Sequence, residues 1–459
     1  MASPVSVVIV GSGPSGLYAA EALTRSTLDV IIDVLERLPT PFGLVRGGVA
    51  PDHQKTKAIT AAFERICSHP ALSLFANVEV GRDISLEELS SIYDVVILAC
   101  GAGASATLDV PGETLPGVIG AANLVGWYNG HPDFRNEDVD LACKAAVVVG
   151  HGNVALDVGR ILASGEARLA GTDIARHAQH ELQRSKLTDI WLVGRRGPAQ
   201  AKFTTAELRE LGTLQDWDIV VSAPDLALNE ASALEAKGSD VVRRNLEVLA
   251  GFSERPRVHG RRIHIAFNLA PLMFLGTSRL EAVSLGRYTL QGEAGVQSAI
   301  RTTSDPIIRP CGLAVLANGY RGVRIPGVPF DEKRGTFPNR DGRLVCDGEI
   351  VPRIYVAGWI KRGPGGVIGT NRADSASTVD KVLEDLPSLS RRSQGARGRL
   401  AQLLDKRGVS AISYAGWERI NASEKARGAG SNKPREKHCE WESLRAVAHA
   451  SGMHASSND

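Results

Sequence analysis

Residues 145–160, AAVVVGHGNVALDVGR, set Gly150, Gly152 and Ala155 in G-x-G-x-x-A order directly after an apolar run. That spacing suits a phosphate cradle. The first glycine makes a tight turn, the second lets a pyrophosphate approach the backbone, and the small third residue lets helix and strand pack closely. The next apolar run, IWLV at 190–193, ends in Gly194, Arg195 and Arg196. An NAD-binding fold carries an acid there for the ribose 2′-hydroxyl, whereas guanidinium groups form charge-assisted bonds to a 2′-phosphate. The arginines therefore point to NADPH. The plainer alternative is a solvated strand end, and the cradle upstream weighs against it.

A second cradle stands at the start of the chain. VSVVIVGSGPSGLYAAE at 5–21 places Gly11, Gly13 and Gly16 between an apolar run and a helical pattern, whose N-terminal N–H groups would face the phosphates. DVIIDVLER follows and puts Glu36 at the end of the next strand, where a carboxylate can accept from both ribose hydroxyls. Two dinucleotide sites in one chain suit a resident flavin and a transient nicotinamide. Since the arginines mark the second site for NADPH, the first is expected to hold FAD. YVAGWIKRGPGGVIGTN supports this: Trp359 is followed by glycines and a helix start near Ile368, whose N–H groups suit the flavin edge that becomes anionic on reduction.

The elements that must position these groups are legible as short apolar runs ending in glycine. VSVVIV leads to Gly11, DVVILAC to Gly101, KAAVVV to Gly150, IWLV to Gly194, GLAVLAN to Gly319 and RIYVA to Gly358. Such runs fit parallel strands covered on both faces, with helices expected at 15–25, 53–68, 153–164 and 204–211. The fold class is α/β with two Rossmann-like dinucleotide-binding domains, the NADP domain inserted into a split FAD domain. The expected boundaries are 1–105 and 327–459 for the FAD domain and 106–326 for the NADP domain, with RIYVAGW the returning strand. The basic stretch 388–400 is expected to be exposed, and 422–440 is expected to be a surface loop outside the core.

Composition excludes several classes. At 459 residues the chain exceeds one ordinary core, and 43% hydrophobic with 23% charged residues is a globular balance. No apolar run nears the roughly 20 residues that span a bilayer, so no integral membrane segment is expected. A net charge of +2 argues against a general nucleic-acid binder. The strand beginning by Val5 leaves little room for a leader, so a cytoplasmic location is expected. Six scattered cysteines form no C-x-x-C and are expected to be buried structural thiols. No metal site, iron-sulfur cluster or redox dithiol is expected on this chain, so any one-electron carrier must be a separate protein.

The motifs GSGPSGLYAAEAL, PTPFGLVRGGVAPDHQKTK, FANVEVGRDI, LVGWYNGHP, GHGNVALDVGRIL, WLVGRRGPAQAKFTTAELREL, PCGLAVLANGY, VAGWIKRGPGGVIGTN and GSNKPREKH span almost the whole sequence. In this order they resemble the adrenodoxin reductase family of ferredoxin-NADP reductases, mycobacterial and other actinobacterial members included. The resemblance implies a glutathione-reductase-like flavoprotein architecture and contacts to FAD from Ser15, Glu36, Leu44, Val80, Trp359 and the backbone of Gly366, Val367 and Ile368. It implies NADP contacts from His151, Gly152, Asn153, Val154, Arg195, Arg196, Glu207 and Gly366. It also places His53 near the flavin and Asp157 in the electron-transfer region, where a titratable group can manage protons. An acidic ferredoxin would be the transient partner, with Arg243 and Arg244 as docking candidates and a cytochrome P450 among the conceivable downstream acceptors. Family members suggest a monomer. Two residues depart from the vertebrate pattern: Ser15 replaces alanine, and His151 replaces glutamine, which is expected to make nucleotide affinity pH-dependent. Thioredoxin reductase and the glutamate synthase small subunit are disfavoured because their cysteine motifs are missing. An NADPH oxidase or flavin monooxygenase, or a non-catalytic dinucleotide-binding module, remains the alternative.

Overall fold

The computed structural model describes residues 3–366, 368–392 and 395–450. The chain forms two compact units. One comprises Met1–Ala104, Asn129–Asp133 and Tyr320–Asp459, and the other Ser105–Tyr128 and Phe134–Gly319.

In the first unit the strand Val5–Val10 lies at the heart of a seven-stranded sheet. It pairs in parallel with Val30–Glu36 on one side and Val95–Leu98 on the other. All six of its residues are buried, as a strand covered on both faces requires. The returning strand, Glu349–Val356, adds in parallel to Val95–Leu98, with Tyr355 opposite Ile97. It reaches that place through the antiparallel pieces Asn339–Arg340 and Arg343–Cys346. The RIYVAGW run thus closes the sheet of the first fold.

Three expectations need correction in this unit. The helix expected over 53–68 is two pieces, Gln54–Lys57 and Thr60–Cys67. Between them the bonds tighten to i→i+3, Ala61 N–H to the Ala58 carbonyl and Ala62 N–H to that of Ile59. The basic stretch 388–400 is not simply exposed. Ala396 and Leu400 are buried in the helix Ala396–Lys406, Arg397 Nε lies 2.6 Å from the buried carboxylate of Asp33, and the Arg392 N–H donates to Asp94 at 2.6 Å. Nor is 422–440 a surface loop. The helix Tyr414–Ala429 covers its first part, and Glu424, Lys433, Glu436, Lys437 and His438 are all buried. Glu424 and Lys437 are drawn inward by Arg46, far away in sequence, and Lys433 pairs with Glu436 beside it.

The second unit holds a six-stranded parallel sheet in the order Val118–Gly120, Leu313–Leu316, Ala145–Val149, Asp189–Gly194, Arg261–Phe267, Trp217–Val221. The helices Asn153–Ala163 and Thr205–Leu211 fall where the pattern expects them. An antiparallel sheet of Leu269–Leu275, Ala282–Gln291, Ser298–Arg301 and Ile307–Pro310 lies between two strands of the parallel sheet in sequence. The glycine-ended runs gave no sign of it.

No described helix is long and apolar enough to cross a membrane. The six cysteines are free thiols, and among the described residues no His, Cys, Asp and Glu cluster could hold a metal ion. Cys67 and Cys311 are buried, but Cys100 and Cys346 are exposed, against expectation. One follows the strand Val95–Leu98 at the glycine turn, and the other ends a short hairpin strand.

Candidate functional site

Two glycine turns carry the chemistry, one in each unit. In the first unit Gly11 takes φ +111°, and a Cβ there would stand 2.5 Å from the Ala99 carbonyl oxygen. A Cβ on Gly16 would stand 1.9 Å from the Gly11 oxygen. Both positions therefore demand glycine for want of space. Gly13 caps the helix Pro14–Thr24 without any side-chain cap, which leaves the N-terminal N–H groups free of side-chain acceptors. Such a turn fits a pyrophosphate.

Glu36 ends the strand Val30–Glu36 and is already engaged. Oε2 accepts from the Ser12 N–H at 3.1 Å and the Ser12 hydroxyl at 2.7 Å, and Oε1 accepts from the Leu38 N–H at 2.9 Å. Those donors take three of about four acceptor positions on a carboxylate. Ser12, which the motif treats as a variable position, thus fixes the acid in place.

The loop after this strand lies directly on the turn. The Phe42 N–H donates to the Ser12 carbonyl at 3.1 Å, and a Cβ on Gly43 would approach Gly13 Cα to 3.0 Å. Leu44 starts the short helix Leu44–Gly47 and is 36% exposed, so its side chain is available to a ligand. Val80 is buried and bridged to Ile84. His53, half-buried, precedes the helix Gln54–Lys57 and donates its N–H to the Ala50 carbonyl.

The C-terminal return meets the same turn. Gly358, at φ +78°, has no room for a side chain because Ser15 Oγ would stand 2.0 Å from its Cβ. Its N–H donates to Asp374 at 2.6 Å, and Asp374 also takes Lys361 Nζ at 3.1 Å. Trp359 Nε1 donates to the Gly365 carbonyl at 3.1 Å, and Arg362 bridges that carbonyl and Asn371 Oδ1. Gly366 sits at φ +78°, a conformation glycine accepts and other residues resist. Val367 lies outside the described residues, and Ile368 begins the helix Ile368–Asp385. Sequence reasoning missed Asn371, Asp374, Ser375 and Thr378. Their spacing of three and four along one helix face is the signal the sequence offers for them.

In the second unit Gly150 takes φ +140°, with a would-be Cβ 2.2 Å from the Ala317 oxygen. Gly152 caps the helix Asn153–Ala163, and a Cβ there meets nothing within 4 Å. The open space above an uncapped helix start suits a phosphate. Asn153 Oδ1 instead accepts from the Thr204 N–H at 2.8 Å, tying the turn to the segment that carries Glu207. Glu207 lies in the first turn of Thr205–Leu211 and accepts from the Thr204 hydroxyl. Val154 is half-buried, and Asp157 pairs with the buried Arg160 at 2.5 Å.

Arg195 and Arg196 follow the end of the strand Asp189–Gly194. Arg195 is exposed, whereas Arg196 is half-buried and donates from Nη2 to the Gln297 carbonyl at 3.3 Å. Its Nε is buried without a hydrogen-bond partner. Held by that carbonyl, the guanidinium keeps a fixed place at the strand end, where its charge can meet an anion.

The His151 ring packs inward, beneath the turn. Its Nε2 lies 3.2 Å from the Leu192 carbonyl, which can only accept, so Nε2 carries the proton. The ring packs against Phe267 at 4.7 Å, and a Cβ on Gly194 would stand 2.3 Å from Nδ1. Burial pushes the imidazole pKa down to about 4, with the Leu192 bond opposing. His151 is therefore a neutral packing residue near neutrality, and Gly194 is bare to admit it.

The profile of the family described as pyridine nucleotide-disulphide oxidoreductase matches residues 5–170. Over 451 residues the chain is 43% identical to the NADPH-ferredoxin reductase FprA of Mycobacterium tuberculosis, covering 95% of this chain and 97% of that one. It is 41% identical to a mitochondrial NADPH:adrenodoxin oxidoreductase of Arabidopsis thaliana, covering 97% and 95%. The chain belongs to the adrenodoxin reductase family of ferredoxin-NADP reductases. A solved structure of Mycobacterium tuberculosis FprA in complex with NADPH superposes on this reductase with a TM-score of 0.92 at 42% identity, covering 97% of this chain and all of that one. Both departures from the vertebrate pattern in this reductase are packed inward: Ser15 faces Gly358 and His151 faces Gly194. Arg243 and Arg244 are exposed on the helix Asp240–Glu254, Arg243 pairing with Asp240.

Proposed function

We propose that this protein is an FAD-containing ferredoxin-NADP reductase that passes electrons from NADPH to a ferredoxin-type iron-sulfur protein. The observation that carries the reading is the contrast between two cradles in one chain, one followed by an acid, Glu36, and the other by Arg195 and Arg196. FAD supplies the chemistry needed when bound, accepting a hydride and releasing electrons singly.

In this reading Met1–Ala104 and Tyr320–Asp459 form the FAD-binding part, close to the expected 1–105 and 327–459, and Ser105–Gly319 most of the NADP-binding part, close to 106–326. Gly11, Gly13, Ser15 and Gly16 hold the pyrophosphate, and Glu36 takes a ribose hydroxyl on its remaining acceptor position. Leu44, Val80, Trp359, Gly366, Val367 and Ile368 surround the rest of FAD. His151, Gly152, Asn153 and Val154 form the NADP phosphate turn, with His151 as its neutral support. Arg195 and Arg196 bind the 2′-phosphate, Glu207 assists through the Thr204 link, and Gly366 also meets the nicotinamide. His53 lies near the flavin and Asp157 in the electron-transfer region, where a titratable group can manage protons. Arg243 and Arg244 meet an acidic ferredoxin by transient, salt-sensitive contacts. The protein works in the cytoplasm, and a cytochrome P450 is one acceptor that a reduced ferredoxin could serve.

The reading is tested with purified protein. It should be yellow, bleach anaerobically with NADPH far better than with NADH, and reduce cytochrome c only when ferredoxin is added. A colourless protein that binds NADPH without turnover would overturn it, as would ferredoxin-independent reduction.

A further inference from the structure

The loop that lies on the first glycine turn does not hold its own shape. Phe42 takes φ +83°, a rare conformation for an aromatic residue, and Gly43 follows at φ +49°. Strain of this kind persists only where the surroundings over-determine it. Here the surroundings are the last part of the chain. The Phe42 ring is buried against Phe63 and meets Trp417 edge-on at 5.5 Å. Arg46 forms a two-pronged pair with Glu424, at 2.8 and 2.5 Å, and its guanidinium lies over Trp417 at 5.2 Å. Glu424 is wholly buried and also takes Arg435 at 3.1 Å and the His438 N–H at 3.0 Å. Lys437 Nζ then reaches back to the Arg46 carbonyl at 3.3 Å.

We propose that the segment 414–438 is a strap that locks the loop 41–49 over the phosphate turn, through Glu424 on Arg46 and Lys437 on its backbone, and so governs retention of the flavin dinucleotide. The proposal rests on the reading that the first unit binds FAD. Glu424, Arg46 and Lys437 are positioning residues: none needs to touch the dinucleotide, because the loop's contact at Gly43 on Gly13 transmits the hold. Removing the Glu424 charge leaves the half-buried Arg46 and Arg435 without their shared anion, the costly way to break such a pair. The loop then opens more often, and the flavin leaves through it.

The test is the rate of FAD release from the full-length holoenzyme after dilution, followed by the rise in free-flavin fluorescence. Glu424→Gln should release FAD at least about tenfold faster than wild type, with Arg46→Lys between them. Lys437→Met, which leaves the ion pair intact, should give about a threefold increase and keeps the test alive if Glu424→Gln does not fold. With excess FAD in the assay, kcat should recover while the KM for NADPH stays at the wild-type value. That recovery separates a lock on the flavin from general damage. Release at the wild-type rate in both Glu424→Gln and Lys437→Met would overturn the proposal, as would a kcat that added FAD does not restore. A wild-type protein that takes up no FAD would instead overturn the reading beneath it, and the proposal with it.

Discussion

Replacing Arg195 and Arg196 with leucine should cost NADPH and spare NADH, and the structure apportions the loss. Arg195 is exposed and its pairing with a phosphate is screened by water, so about 1 kcal/mol is expected from it. Arg196 is half-buried and held in place by the Gln297 carbonyl at 3.3 Å. A charge-assisted bond from such a pre-organised donor is worth about 2 kcal/mol. The single variants should therefore lower kcat/KM for NADPH about fivefold at Arg195 and about thirtyfold at Arg196, and the double variant about 150-fold. Values for NADH should stay within about threefold, since no 2′-phosphate is lost. The assay is steady-state reduction of an artificial acceptor with each nucleotide. Parallel loss for NADH and NADPH would refute the assignment of these arginines, and a larger loss at Arg195 than at Arg196 would refute the geometric argument.

Other expectations concern packing around the two turns. His151 has its pKa pushed down to about 4 by burial, against an ordinary 6.5. A buried histidine kept neutral in the folded state favours the unfolded chain as it charges, so its contribution is intact above about pH 6.5 and is lost as pH falls toward about 4. His151→Gln should flatten that acid limb in thermal melts, while the pH dependence of the KM for NADPH, set there by the 2′-phosphate itself, stays the same in the two proteins. Gly194→Ala places a Cβ against the His151 ring and should cost about 1–3 kcal/mol, with most of it recovered when His151→Ser is added. Strict additivity in the double variant would contradict the contact. Phe42→Gly relieves about 1–3 kcal/mol of backbone strain but removes a buried ring worth about 3–5 kcal/mol. The variant should thus melt lower than wild type, and a higher melting point would show that the ring contributes little.

What the sequence made legible was whatever repeats locally. The run VSVVIV announces a strand buried on both faces, and the glycines after it announce a turn, because both signals depend on neighbours a few residues away. Glu36 and the arginine pair were legible for the same reason, each marking the end of the strand after a cradle. The hidden parts depend on partners far along the chain. Arg46 meets Glu424 across 378 residues, so ASEKARGAGSNKPREKH reads as solvated charge until its partners are placed. Asn371, Asp374, Ser375 and Thr378 look like the wet side of a helix, yet they face the Gly358 turn and the Ser15 backbone. His151 is a case of the opposite kind. A polar residue in a phosphate turn suggests a ligand, but a neighbouring bare glycine gave its ring a place to pack.

The central claim is that electrons enter as hydride from NADPH and leave singly to an iron-sulfur protein. It is tested most directly by mixing NADPH, a catalytic amount of the purified protein and a ferredoxin without oxygen, and following reduction of the cluster. The account predicts about two ferredoxins reduced per NADPH consumed, with a rate that falls as salt is raised. NADPH consumption that leaves ferredoxin oxidised and proceeds only once oxygen is admitted would contradict it.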